Sequence, residues 1–350
     1  MSDIENKEKV LLVSPLPPPI GGIARWTVTY LEYLKRIDKK VSVVNSGVTG
    51  NRVKDTNKVD VASEIIRLYK IKSAIKKRIK SNEYQVLHYN ASCFFKGLIR
   101  DYVVLFGIGK KVPIIYQCHC NLSTNVRSIV EKFVFRCVLK KVRMVIVLNE
   151  NSYRMAKRFH NRVIKIPNFI EKNKCRKITV GRELKKILFV GRVCREKGMY
   201  ELVDAAKKLP NIEFHIVGPD ENGVIKDLEL TNIIYHGEVK HEELGTFYGS
   251  MDLFLLPSYT EGFPIAVLEA MSFGLPIVAT NVGSISEMIG AEGGILINKQ
   301  SSAEIVSAIE SLYDAKKRAD MSEYNYLRVR NEYTDEIVIN KLFDLYQSVK

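Results

Sequence analysis

The feature that most constrains the fold is the alternation of short apolar runs with helical segments between residues 251 and 289. Residues 251–256 read as a buried strand that ends at Pro257, and residues 274–280 supply a helix stop, a turn and a second buried strand. Gly283 and Glu287 open another helix. A chain that alternates in this way is expected to form an α/β sheet, whose ligands lie at the carboxyl ends of its strands.

Two carboxylates flank the loop-to-helix transition at one of these strand ends. Glu261 is expected in the loop and Glu269 inside the helix, because Gly262 suits a tight turn and Pro264 a first helical position. The free N–H groups of the first helical turn would bind phosphate between two acceptors for hydroxyl groups. This combination suits a sugar joined to a nucleoside diphosphate. The alternative is an ordinary helix with one exposed and one half-buried glutamate.

A basic loop follows the strand predicted at residues 186–190. Arg192 and Lys197 lie in this loop, where a guanidinium fork and an ammonium would neutralise the diphosphate as it leaves. For Arg192 the alternative is a surface salt bridge. Glu196, between the two cations, is expected to orient Lys197 or to face solvent.

These motifs resemble those of the retaining GT-B glycosyltransferases of family 4, also called glycosyl transferases group 1. Two glutamates separated by seven residues are the signature of that family, and the similarity is densest from residue 187 to residue 287. The resemblance implies an α/β protein of the GT-B fold, with two Rossmann-like domains facing each other across a cleft. Other matching segments are Gly191-Arg192, Lys197-Gly198, residues 166–169, and the pair Gly21-Gly22.

The length of 350 residues agrees with two domains, because a single core of that size is unusual. Residues 1–171 are predicted to form an N-terminal acceptor-binding Rossmann-like domain. Residues 178–330 are predicted to form the donor-binding domain, after a polar linker. The resemblance implies that a last helix within residues 331–350 crosses back to the first domain.

The resemblance also implies roles for individual residues. Glu269 would bind the ribose hydroxyls, Glu261 the transferred sugar, and the backbone N–H groups of Gly262 and Phe263 would lie near sugar and phosphate. His119, which follows a strand predicted at residues 112–117, matches the histidine that faces the anomeric centre in this family.

Four further residues of the first half have weaker signals. Gly21 and Gly22 would let the first loop approach the diphosphate, although a glycine pair is also an ordinary turn. His88 is a second candidate histidine. Asn90 is predicted to cap the helix that follows it.

The sequence lacks the motifs of several other classes of site. The chain has no Asp-x-Asp pair, so no metal is expected to bridge the diphosphate, and no cofactor is expected besides the nucleotide sugar. The six cysteines have no paired spacing, which disfavours a disulfide framework or a zinc ribbon. Dinucleotide-binding, P-loop and G-x-S-x-G hydrolase motifs are missing from the sequence too.

Positive charge is concentrated in the first half of the chain. Residues 1–170 contain 32 Lys and Arg but 12 Asp and Glu. Much of this excess lies in residues 64–80 and 133–143, where apolar residues alternate with lysine and arginine. Basic amphipathic helices are typical of anionic membrane surfaces, and a solvated basic face on an ordinary helix is the alternative. Nucleic acid is not expected as a partner, because no recognition motif accompanies the charge.

The sequence therefore predicts a hexosyltransferase that acts without a metal, and the resemblance implies that it retains the configuration of the transferred sugar. Its donor would be a nucleoside-diphosphate sugar, and its acceptor a lipid-linked oligosaccharide in bacterial surface polysaccharide synthesis (O-antigen, lipopolysaccharide or capsule). The polar start and the lack of a long apolar run favour a cytoplasmic protein, peripheral at the inner face of the plasma membrane. Two alternatives are a nucleotide-sugar 2-epimerase and a non-catalytic nucleotide-binding scaffold in a polysaccharide assembly complex.

Overall fold

The computed structural model describes residues 10–18, 21–47, 61–81, 84–220, 223–225, 228 and 230–349. The chain divides into two compact units. The first domain contains the residues up to Asn168 and those from Asp335 onward. The second domain is Phe169–Thr334. None of the helices within these described ranges combines the length and the apolar character that crossing a membrane requires.

The first domain is built on a six-stranded parallel sheet in the order β2-β1-β3-β4-β5-β6. Three inner strands, Val10–Ser14, Val86–Ala91 and Ile114–Cys118, are buried along their whole length, because helices cover both faces of a parallel sheet. The strands are β1 Val10–Ser14, β2 Ser42–Asn45, β3 Val86–Ala91, β4 Ile114–Cys118, β5 Met144–Val147 and β6 Val163–Lys165. The helices are α1 Gly22–Arg36, α2 Val61–Ser81, α3 Phe95–Leu105, α4 Leu122–Asn125, α5 Ile129–Leu139 and α6 Glu150–Lys157.

The second domain has its own six-stranded sheet, in the order β12-β11-β10-β7-β8-β9, and all its strand pairs are parallel. Its strands are β7 Lys186–Val190, β8 Glu213–Val217, β9 Ile233–Gly237, β10 Leu253–Leu256, β11 Ile277–Thr280 and β12 Gly294–Ile297. Its helices are α7 Met199–Lys208, α8 His241–Gly249, α9 Ile265–Ser272, α10 Ile285–Ile289, α11 Ser302–Glu310 and α12 Ala315–Arg328.

The last helix, α13 (Asp335–Ser348), packs within the first domain. A π-helical turn, Val329–Tyr333, precedes it. Asp335 at its start forms an ion pair with Arg36 at the end of α1. Near its other end, the Tyr346 hydroxyl lies 3.3 Å from the Tyr30 hydroxyl. These contacts fix both ends of α13 against the first domain.

The structure corrects the expected position of Pro264. This proline is the N-cap of α9, with ψ of 113°, and Ile265 is the first helical residue. Its carbonyl oxygen accepts from the N–H groups of Val267 and Leu268, at 3.2 and 3.4 Å. Pro264 therefore begins the helix through its carbonyl rather than occupying the first helical position.

Candidate active site

The candidate site lies at the carboxyl edge of the second sheet, where β7 and β10 are neighbours. From β7 the chain continues outward to β8 and β9, and from β10 it continues in the other direction to β11 and β12. The loops that follow β7 and β10 therefore diverge at a topological switch point, which is where open α/β sheets bind their ligands.

Two glycines allow the loops at this edge to touch. Gly198 has φ of +73°, and a Cβ there would lie 2.1 Å from the carbonyl oxygen of Pro257. Gly283 has φ of +61°, and its Cβ would lie 2.3 Å from the carbonyl oxygen of Glu261. Any larger residue would force these loops apart, so the glycines are required for the backbone positions of the site.

Lys197 and Glu261, both predicted site residues, form a direct ion pair. The Lys197 Nζ lies 2.6 Å from Glu261 Oε1, and the two side chains are 22% and 10% exposed. The Tyr259 N–H donates to the Glu196 carbonyl oxygen at 2.8 Å and ties the same two loops together. An anionic ligand that binds Lys197 must therefore compete with Glu261 for the ammonium.

Arg192 lies on the loop after β7 with its side chain exposed. It makes no hydrogen bond or ion pair with the part of the chain that the structure describes, so the salt-bridge alternative for it has no support there. A backbone hydrogen bond holds this loop to the loop after β8, because the Val193 N–H donates to the Pro219 carbonyl oxygen at 2.8 Å. Glu196 is exposed, and Lys197 contacts Glu261 instead of Glu196.

Glu269 is buried on α9 and contacts helix α8. The Tyr248 hydroxyl donates to Glu269 Oε2 at 2.8 Å, and His241 Nδ1 lies 3.6 Å from Oε1. The Tyr248 ring is 1% exposed and stacks on Phe273 with ring centroids 5.7 Å apart. Tyr248 therefore fixes the orientation of the carboxylate. Tyr248 and His241 could not be identified from the sequence, because nothing in their local spacing indicates which residue they contact.

Gly262 and Phe263 both form contacts inside the second domain. The Gly262 carbonyl oxygen accepts from the Ser284 N–H at 3.0 Å. The Phe263 ring is buried and lies edge-on to Tyr333, with centroids 5.8 Å apart. The side chain of Phe263 thus packs in the second domain, and binding by the two backbone N–H groups stays a prediction.

His119 follows β4 in the first domain, where the sequence places it. Its Nε2 lies 2.9 Å from Asn90 Oδ1, and its ring stands edge-on to Trp26 at 5.4 Å. Burial lowers the pKa of His119 to about 3, so the imidazole is neutral at pH 7. Donation from Nε2 to the Asn90 oxygen leaves Nδ1 of this tautomer as an acceptor.

The structure corrects the expected role of Asn90. This residue lies inside β3, whereas α3 begins at Phe95 with Phe94 as its N-cap. Besides contacting His119, the Asn90 amide donates to the Ser14 hydroxyl at 2.9 Å. Asn90 is therefore a buried link between β1, β3 and the candidate histidine. It is not a helix cap.

His88 is an interior residue of the first domain. Its Nδ1 lies 2.7 Å from the Tyr346 hydroxyl and its Nε2 lies 2.9 Å from Gln117 Oε1. The side chain is fully buried, and burial lowers its pKa to about 4. Both ring nitrogens are used in holding α13 and β4 to β3, which indicates a structural role.

Gly21 and Gly22 lie at the start of α1 and line a cavity of about 350 Å³. Gly21 has φ of −133°, and a Cβ built on either glycine meets nothing within 4 Å. The fold itself therefore leaves room for a side chain at both positions. Arg67 and Arg100 line the same cavity, and they form ion pairs with Glu64 and Asp101 at 3.1 and 2.8 Å.

The cysteines on either side of His119 are buried. Within the described ranges, no group of three or more His, Cys, Asp or Glu side chains is arranged to hold a metal ion.

Residues 171–328, nearly the whole second domain, match the family described as Glycosyl transferases group 1. The second domain belongs to this family. A protein of the cps region of Klebsiella pneumoniae, described as uncharacterized, is 27% identical over 78% of this chain and 81% of that protein. The capsular polysaccharide biosynthesis glycosyltransferase CapM of Staphylococcus aureus is 27% identical over 46% of this chain and 45% of CapM.

Solved structures match the chain over nearly its full length. Sucrose-phosphate synthase from Thermosynechococcus elongatus superposes with a TM-score of 0.79 at 18% identity, covering 98% of this chain and 99% of the synthase. HepE from Anabaena, solved with UDP and glucose, gives a TM-score of 0.74 at 17% identity, covering 97% and 100% of the two chains. These matches confirm the predicted GT-B fold with its two Rossmann-like domains.

Proposed function

We propose that this group 1 glycosyltransferase moves a hexose-type sugar from a nucleoside-diphosphate sugar to a hydroxyl group, with retention of configuration. One observation carries the proposal. Arg192, Lys197 and Glu261 come from two loops that meet at the switch point of the donor-domain sheet, and two of them are in direct contact. The family match of this domain and the UDP-bound HepE structure support a nucleotide sugar as the donor.

In the proposed reaction, Arg192 and Lys197 bind the diphosphate of the donor. Both cations oppose the negative charge that develops on the diphosphate when the bond to the sugar breaks. The oxygen of the β-phosphate then accepts the proton of the attacking acceptor hydroxyl on the same face of the sugar. We expect the reaction to need no divalent metal, because these two side chains supply the positive charge.

The glutamates bind hydroxyl groups in this scheme. Glu269 accepts from the ribose, and its orientation is set by Tyr248 before the nucleotide binds. Glu261 accepts a hydrogen bond from a hydroxyl of the transferred sugar, while the diphosphate replaces Glu261 as the partner of Lys197. His119 adds a neutral imidazole whose Nδ1 is an acceptor for a sugar hydroxyl, since its Nε2 is engaged by Asn90.

We propose a lipid-linked saccharide as the acceptor, in the assembly of a bacterial surface polysaccharide at the inner face of the plasma membrane. Similarity to a protein of a cps region and to CapM supports capsule synthesis as the setting. The excess of positive charge in the first half of the chain, with 32 Lys and Arg against 12 Asp and Glu in residues 1–170, supports an acceptor that carries phosphate.

Calorimetric titration with UDP, GDP, ADP, CMP and dTDP, in buffer that contains EDTA, tests the donor site. We expect preferential binding of one nucleoside diphosphate, and weaker binding by the Arg192→Ala and Glu269→Ala variants. Arg182→Ala removes an exposed arginine elsewhere in the same domain and is the matched control. Equal affinity of Arg192→Ala and the wild-type protein would contradict the assigned role. A folded wild-type protein that binds none of the nucleotides would favour a scaffold function.

The transfer itself is tested with the sugar donors of the preferred nucleotide and a polyprenyl-diphosphate saccharide. Formation of a glycosylated lipid with the anomeric configuration of the donor sugar, measured by NMR, is the expected result. Inversion would refute the proposed mechanism. Turnover of the donor to an isomeric nucleotide sugar without acceptor would identify an epimerase instead.

A further inference from the structure

Helix α3 exposes a second apolar stripe that its packing does not require. Phe95, Ile99, Tyr102 and Phe106 follow one another at spacings of four, three and four residues, which places them on one side of the helix. All four are exposed, and Phe106 is 58% exposed. The opposite side is already apolar and buried in the core, through Leu98 and its neighbours. Stripes of this kind on a protein surface mark interaction sites.

The neighbouring helices extend this stripe. On α5, Ile129 is 86% exposed and Phe133 is 66% exposed, and on α2 Tyr69 is 74% exposed. Helix α3 packs against both α2 and α5. We call the exposed side chains of these three helices, together with Phe106 and Lys141 at their ends, the apolar–basic face.

Two lysines contact the C-terminal end of the α3 stripe. The Lys72 ammonium of α2 donates to the Val103 carbonyl oxygen of α3 at 3.0 Å and lies 5.5 Å from the centre of the Phe106 ring. From the other side, the Lys141 ammonium lies 4.7 Å from the same ring and 4.4 Å from the Tyr102 ring. Cations and aromatic rings therefore alternate across the face.

The charge of this face has one sign. Helices α2, α3 and α5 contain eleven Lys and Arg and three acidic residues, and two of the eleven cations, Arg67 and Arg100, are paired with Glu64 and Asp101. Asp101 is fully buried and accepts from two tyrosine hydroxyls. Glu64 is paired with Arg67, and the Glu131 carboxylate accepts from backbone N–H groups at the start of its own helix. Burial and the charges of Lys76 and Lys141 lower the pKa of Lys72, which shows how closely the cations are gathered.

We propose that the apolar–basic face docks on an anionic lipid bilayer. Its phenylalanine, tyrosine and isoleucine side chains enter the boundary between headgroups and acyl chains, and its lysines and arginines contact lipid phosphates. A bilayer fits better than a protein partner, because the apolar side chains are separated by lysines whose long stems carry the charge to the headgroup level. The inference deepens the proposed function, since it places the first domain where a lipid-linked acceptor is found, but it does not depend on the donor chemistry.

Flotation of the full-length protein with phosphatidylcholine vesicles, with and without phosphatidylglycerol, tests the inference. We expect binding to the anionic vesicles alone, weakened by salt. The double variant Ile129→Ser/Phe133→Ser should reduce the partition coefficient at least about tenfold, because two apolar side chains lose their burial in the membrane. Tyr313→Ser removes an aromatic residue of the second domain that is 49% exposed, and should bind as the wild-type protein does.

A tryptophan placed on the face measures insertion directly. The chain has one tryptophan, Trp26, which is buried, so its emission changes little on binding. In the Phe133→Trp variant we expect a blue shift with anionic vesicles and quenching by brominated acyl chains. Absence of quenching while the protein floats would refute insertion of this face. Failure to float in a protein that still binds its nucleoside diphosphate would overturn the inference and leave the proposed donor site intact.

Discussion

The Glu261→Gln variant gives the sharpest test of the candidate site, because two of its effects have opposite signs. Glutamine has nearly the same shape but no charge, so it releases Lys197 from its ion pair. A nucleoside diphosphate without sugar then meets an unpaired ammonium and should bind more tightly than it binds to the wild-type protein. Transfer from the nucleotide sugar should slow down, because the charged acceptor proposed for the sugar hydroxyl is lost.

The size of the effect follows from the geometry of the pair. Two unit charges about 4 Å apart attract by about 4 kcal/mol at an effective dielectric constant of about 20. The Lys197 Nζ and Glu261 Oε1 atoms are 2.6 Å apart and the side chains are mostly buried, so screening by water is limited. The cost of desolvating both groups offsets most of this attraction, and glutamine still accepts a hydrogen bond. A net gain of about 1.5 kcal/mol remains, which is about tenfold in Kd.

Calorimetry with the preferred nucleoside diphosphate measures the first effect, and initial rates with the sugar donor measure the second. Glu196→Gln is the matched control, because it removes the same charge from the neighbouring loop at an exposed position, where solvent screens it. Its Kd should change less than about twofold. Weaker or unchanged binding of the nucleoside diphosphate by Glu261→Gln would refute the argument that Glu261 and the diphosphate compete for Lys197.

Three further predictions concern two buried side chains and two glycines. Tyr248→Phe should leave the fold intact and weaken nucleoside diphosphate binding about tenfold by calorimetry, because the Glu269 carboxylate loses the hydrogen bond that the Tyr248 hydroxyl donates to it. Burial lowers the pKa of His88 to about 4, so the neutral ring stabilises the fold above the unfolded pKa near 6.5, and this contribution is lost as pH falls toward 4. The free energy of unfolding in urea should fall by about 2 kcal/mol more between pH 7 and pH 5 than it does in His88→Gln. Gly21→Ala should keep the wild-type Tm but reduce kcat/KM, because the added methyl group keeps the first loop away from the diphosphate, whereas Gly283→Ala should lower both.

Strand ends and the loops that follow them could be predicted from the sequence. The strand predicted at residues 186–190 is observed at those residues, and Arg192 and Lys197 follow it as expected. These features are local, because a run of apolar residues ends at glycine or a polar residue. The partner of Lys197 could not be predicted, because its contact with Glu261 spans 64 residues and depends on β10 pairing with β7.

The direction in which a helical residue points was harder to predict. In α2 the apolar residues at helical spacing include Ile75, which is fully buried, while the exposed apolar residues near its start are Ile65, Ile66 and Tyr69. In residues 133–143, Phe135 and most of the other apolar residues belong to the core, and Phe133 is exposed. Helical spacing shows that a stripe exists. Only the packed structure shows which stripe faces the sheet, and it also reveals the exposed stripe of α3.

The two glutamates that the sequence presents as a pair have different electrostatic surroundings. Glu261 contacts a cation on a neighbouring loop, so its contact must be exchanged when a diphosphate binds. Glu269 accepts a hydrogen bond from the neutral hydroxyl of Tyr248 inside the domain. Because that partner carries no positive charge, a phosphate does not compete with Glu269 for it. Loss of the Glu269 carboxylate should therefore weaken nucleoside diphosphate binding, while loss of the Glu261 charge should strengthen it. Opposite changes in nucleoside diphosphate affinity in the Glu261 and Glu269 variants would separate sugar binding from ribose binding without any knowledge of the acceptor.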